Sequence, residues 1–66
     1  MKVRINGEDI ILGGQASVAA VITARKINPE AVIVEYNGAI LPKENWGRVS
    51  LKEADILEIV SFVGGG

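Results

Sequence analysis

MKVRINGEDIIL, residues 1–12, decides the fold. Met1, Val3 and Ile5 alternate with Lys2 and Arg4, the period of two that gives a strand one buried face and one wet face. Asn6-Gly7 follows, a pair that accepts the positive φ angles of a tight hairpin turn. Residues 9–12 then form the returning strand, and Gly13-Gly14 ends it.

Beyond the hairpin the period changes. Ser17 has the side-chain oxygen of a helix N-cap, and residues 18–26 read as the helix it starts. Val18, Val21 and Ile22 fall on one helical face. Arg25 and Lys26 are expected in the last turn, where positive charge suits the dipole. Asn28-Pro29 stops the helix, Asn as a left-handed residue and Pro as a breaker.

Residues 31–36 are a second apolar run of strand length, closed by another turn pair, Asn37-Gly38. Ile40 and Leu41 form a short strand, and residues 42–46 one helical turn with Pro42 at its first position. Gly47 releases that turn, and Val49 and Leu51 make a short edge segment. Residues 55–63 are the last strand, with Leu57, Ile59 and Ser61 on one face and Ile56, Glu58, Val60 and Phe62 on the other. Hairpin, helix, strand, connection and final strand make an α+β chain, a mixed sheet with one main helix packed on one face. That is the β-grasp arrangement, here over residues 1–63 with residues 64–66 as a glycine tail.

Composition narrows the chemistry. The chain has 66 residues, room for one domain and little for a deep pocket beside a core. Val, Ile, Leu and Phe number 22, enough apolar material for packing to hold the fold. Cys and His are both absent, which removes disulfides, the usual zinc ligands and the common nucleophile–base pairs. The net charge of −1 lacks the basic excess of a nucleic-acid binder, and no apolar run has the length of a membrane span. A non-enzyme of the cytoplasm, binding no cofactor, nucleic acid or membrane, is the expectation. Any chemistry needs catalytic groups from a partner.

The chain ends Gly64-Gly65-Gly66. Three extended residues reach roughly 10 Å past a strand. Glycine lets that backbone enter a narrow channel, and it leaves the terminal carboxylate uncrowded. A carboxylate is a poor electrophile, but ATP can convert it to an acyl-adenylate, from which a sulfur or amine nucleophile displaces AMP. Glycine-rich ends are also commonly plain disordered termini, and the tail alone leaves both readings open.

The order of features resembles the thiamin-biosynthesis sulfur carriers, a ubiquitin-like family with the β-grasp fold. The resemblance rests on Met-Lys-Val-Arg-Ile-Asn-Gly at 1–7, the helix after Ser17, Asn37-Gly38 with Ile40-Leu41-Pro42-Lys43, Trp46, Asp55 before the last strand, and terminal Gly65-Gly66. It implies that Gly66 is adenylated by a separate ATP-dependent enzyme related to ubiquitin-activating enzymes. It further implies a thiocarboxylate whose sulfur, from a donor such as a cysteine desulfurase, goes to thiazole synthase. Two features depart from the pattern: the extra glycine, Gly64, and Glu53-Ala54-Asp55, which lacks the glycine often found there.

Val60 and Phe62 lie opposite the Leu57 face and are expected to be exposed beside the tail, as a docking pair. With Gly64, Gly65 and Gly66 they form the expected partner-binding set. Trp46 is expected to pack against the Pro42 turn. Lys2, Arg4, Glu53 and Asp55 are expected to be solvated surface, and Gly13-Gly14 lacks the lysine of a phosphate loop. Three rivals share some of these features. The small subunit of molybdopterin synthase also ends in Gly-Gly. A ubiquitin-like modifier would join its glycine to a lysine. A non-reactive β-grasp binding module would leave the tail idle.

Overall fold

Two Asn-Gly turns frame the sheet of the protein, whose computed structural model describes residues 1–62. Strand β1 (Lys2–Ile5) returns as β2 (Glu8–Ile11) through Asn6 and Gly7, at φ 52° and 83°. Strand β3 (Val32–Tyr36) returns as β4 (Ala39–Leu41) through Asn37 and Gly38, at φ 50° and 90°. Positive φ at both central residues matches the twist of the flanking strands, which is why this dipeptide sets both registers. Strand β5 (Ile56–Ser61) lies at the centre, in the order β2-β1-β5-β3-β4. It runs parallel to β1 and antiparallel to β3.

Helix α1 (Val18–Ala24) links β2 to β3 and covers one face. The Ser17 side chain accepts the Ala20 N–H at 3.0 Å, the expected N-cap. The helix is shorter than its pattern predicts, because Lys26 takes the left-handed conformation at φ 58°. The Ile27 N–H then bonds to the Ile22 carbonyl, and the Lys26 N–H to that of Thr23, a Schellman closure. Arg25 and Lys26 therefore lie beyond the last turn rather than in it. Asn28 is not left-handed either. It sits at φ −72° and caps a 3-10 turn, Pro29–Ala31, by accepting the Glu30 N–H.

The core joins Val3 and Ile5 of β1, Val18, Val21 and Ile22 of α1, Val34 of β3 and Leu57 of β5 with Trp46 and Leu51. Trp46 stands in a 3-10 helix, Lys43–Arg48, that includes Gly47 and is preceded by Pro42 as its cap. Its indole Nε1–H donates to the Leu41 carbonyl at 3.0 Å, so the buried ring has the polar partner it needs and pins the turn after β4. Val49 and Leu51 do not form a strand of the sheet. They bond to Val18 and Ala16 around a single bridge between Ser17 and Ser50, which puts Leu51 in the core.

Asp55 is the main departure from expectation. It precedes β5 and is 6% exposed, not solvated. Its Oδ2 accepts the Tyr36 hydroxyl at 2.7 Å and the Lys52 N–H at 2.8 Å, while Oδ1 accepts Asn37 Nδ2 at 3.1 Å. Only one of these partners is near in sequence, so the alternation of the strand could not announce the burial. Lys2, Arg4 and Glu53 are exposed as expected, with Arg4 Nε 3.2 Å from Asp9.

Candidate docking face and chain exit

β5 carries the chain toward its end, and its two sides are held differently. On the β1 side the ladder closes at Ile5 and Leu57. One step on, the Asn6 side chain replaces the missing strand: its Oδ1 accepts the Ile59 N–H at 2.7 Å. On the other side β3 continues, pairing Ile33 with Val60 and Val32 with Ser61. The Phe62 N–H donates to the Ala31 carbonyl at 3.0 Å, so the chain is anchored to its last described residue.

Helix α1 covers the Leu57 face. Val60 and Phe62 consequently face outward, 51% and 57% exposed, as their alternation requires. Register places further apolar residues beside them. Ile33 is opposite Val60 and 42% exposed, and Ile40 of β4 is 67% exposed. Neither was legible as part of this face, because it is the β3–β5 pairing that sets Ile33 against Val60. Gly64, Gly65 and Gly66 lie outside the described residues.

A shallow groove of about 310 Å³ beside the exit is lined by Asn6, Ile27, Asn28, Val32, Ile59 and Ser61, none of them ionisable near neutral pH. Among the described residues no group of three or more His, Cys, Asp or Glu side chains gathers as a metal site. No helix among them is long and apolar enough to cross a membrane. The shifted protonation equilibria belong to a structural network, that of Asp55 and Lys52. Burial pushes the Asp55 carboxyl up, but the bonds from Tyr36, Lys52 N–H and Asn37, with the Lys52 charge, hold it below the usual value. The Lys52 ammonium in turn is raised, chiefly by its bond to the Tyr36 hydroxyl.

Residues 3–66 match the ThiS family. The chain is 34% identical over 64 residues to the sulfur carrier protein ThiS of Bacillus subtilis, covering 96% of this chain and 97% of that one. It is 38% identical over 66 residues to a thiazole synthase of Paramagnetospirillum magneticum, spanning all of this chain but a fifth of that protein's length. A crystal structure of the thiamine biosynthesis protein ThiS from Geobacter metallireducens superposes with a TM-score of 0.86 at 32% identity, over the whole of both chains. These matches agree with the β-grasp sheet and single main helix expected from the residue pattern.

Proposed function

Because the chain belongs to the ThiS family, we propose that it is a sulfur carrier of thiamin biosynthesis. The observation that carries this reading is the span of the family match, which runs from residue 3 through Gly66. On this reading the β-grasp domain is the handle and the glycines at 64–66 present the carboxylate. A separate adenylating enzyme joins the Gly66 carboxylate to AMP, releasing pyrophosphate from ATP. The terminal sulfur of a persulfide, supplied by a donor such as a cysteine desulfurase, displaces AMP to give an acyl disulfide, and a second thiol cleaves its S–S bond, leaving the thiocarboxylate on Gly66 and a disulfide on the thiol side. Thiazole synthase takes that sulfur for the thiazole ring. The carrier contributes no catalytic group and holds no cofactor, and it works in the cytoplasm.

Val60 and Phe62, with the glycine arm, are the docking elements of this reading. An exposed apolar pair on a strand that leads directly to the reactive end lets a partner grip the fold and reach the carboxylate together.

Intact mass spectrometry after incubation with the activating enzyme, ATP and a sulfur donor tests the reading. The expected mass gain equals replacement of one oxygen by sulfur, maps to Gly66 and vanishes when Gly66 is deleted. No gain, with an enzyme proven active on another carrier, overturns the carrier mechanism. Covalent adducts on a denaturing gel instead point to a modifier. Val60→Ser with Phe62→Ser should slow adenylation while the fold survives, and unchanged kinetics would remove the docking role.

A further inference from the structure

Glu35 of β3 and Glu58 of β5 are direct cross-strand partners in the register of the sheet. Both are half-buried, near the middle of the face that α1 leaves open. Like charges opposite one another on a sheet destabilise it. Neither carboxylate has an ion-pair partner among the described residues. The same face pairs its other charges internally: Arg4 and Lys2 both turn toward Asp9. Apolar side chains flank the acidic pair. Ile40 lies opposite Glu35 on β4, and Ile33 and Val60 form the next outward-facing pair toward the chain exit.

An unpaired anionic pair ringed by exposed apolar residues is complementary to one kind of surface. We infer that this face receives a partner protein that projects an arginine or lysine from an apolar patch, the cation inserting between Glu35 and Glu58. A cation between the two carboxylates offsets the unfavourable juxtaposition of like charges across the strands, and the surrounding isoleucines and Val60 exclude water from the contact. Arginine is the better fit, since its planar fork can donate to two carboxylates at once. The inference rests on the carrier reading and specifies the chemistry of its activating partner. It places the recognition charge on β3 and β5, one register step from the apolar pair.

The test measures ATP–pyrophosphate exchange by the source organism's own adenylating enzyme with the full chain, alongside thermal unfolding of the free carrier. In Glu35→Gln with Glu58→Gln, KM for the carrier should rise about tenfold with kcat unchanged. Rising salt should weaken the parent chain's KM more than the variant's. Glu58→Gln alone should raise the Tm of the free carrier by about 1–6 °C, because a repulsive pair is removed. A KM unchanged in both the double variant and its charge reversal, Glu35→Arg with Glu58→Arg, overturns the inference. If Val60→Ser with Phe62→Ser still raises KM in that case, apolar docking survives without the cation. Absence of exchange with the parent chain overturns the carrier reading and this inference with it. Self-association of the parent chain that the Gln variants abolish would assign the face to a second copy, and would also overturn it.

Discussion

The Asn6 side chain accepts the Ile59 N–H at 2.7 Å, across 53 residues of sequence. One residue thus serves two purposes. Its backbone, at φ 52°, makes the first hairpin, and its side chain carries the edge of β5 past the end of β1. The Ile59 N–H of β5 therefore keeps a partner where β1 stops.

Asn6→Gly keeps the positive φ and deletes only the side-chain bond. It should lower stability by about 0.5–1.5 kcal/mol. Amide exchange at Ile59 should accelerate specifically. Asn6→Ala should lose roughly a further 1 kcal/mol from backbone strain. Urea unfolding followed by Trp46 fluorescence measures both, and an unperturbed Ile59 amide would contradict the role.

Asp55 joins the β3–β4 turn to the start of β5 through Tyr36, Asn37 and Lys52. Asp55→Ala leaves those donors without an acceptor and should cost on the order of 3 kcal/mol. The pH dependence has a defined sign. The folded carboxyl lies below its ordinary value of 3.8, so its contribution is present above that value. It is lost as pH falls through the lowered folded value. The urea midpoint of the parent should drop below about pH 4, and Asp55→Asn should show a shallower drop there. Equal slopes would mean that other carboxylates carry the acid limb.

Besides the asparagines of the two Asn-Gly turns, two non-glycine residues occupy left-handed conformations that glycine fills without strain. Ala54, at φ 72°, is the second central residue of the Lys52–Asp55 turn, and Lys26, at φ 58°, closes the helix. Ala54 therefore holds a backbone conformation that strains any residue with a Cβ. Ala54→Gly and Lys26→Gly should each stabilise the protein by about 0.5–1 kcal/mol, because relief of strain exceeds the added chain entropy. Chemical denaturation of the pair should show additive gains, since the two turns share no hydrogen bond. A fall in midpoint for Ala54→Gly would contradict the strain.

Trp46 fills the core and donates to the Leu41 carbonyl. Trp46→Phe keeps most of the ring and should cost about 1–2 kcal/mol through the lost bond and the lost volume. Trp46→Ala should cost about 3–5 kcal/mol. Thermal unfolding followed by far-UV circular dichroism separates the two, and near-equal losses would show that packing contributes little.

Short-range chemistry settled a large part of this protein. The alternation at Met1–Ile5, the two Asn-Gly turns, the Ser17 cap and the Val18, Val21, Ile22 stripe each act within a few residues, and each stands in the structure where the sequence alone puts it. The outward placement of Val60 and Phe62 also follows from local alternation once one face of β5 is covered. The reading from sequence failed at the helix end for a local reason and at Asp55 for a distant one. The helix stops early because Lys26 closes it, and Asp55 is buried because Tyr36, Asn37 and Lys52 converge on it. Sequence periodicity carries no information about which strands become neighbours. The order β2-β1-β5-β3-β4, and with it Glu35 against Glu58 and Asn6 on Ile59, is a tertiary property, set by pairing between segments far apart in the chain that share one core with α1.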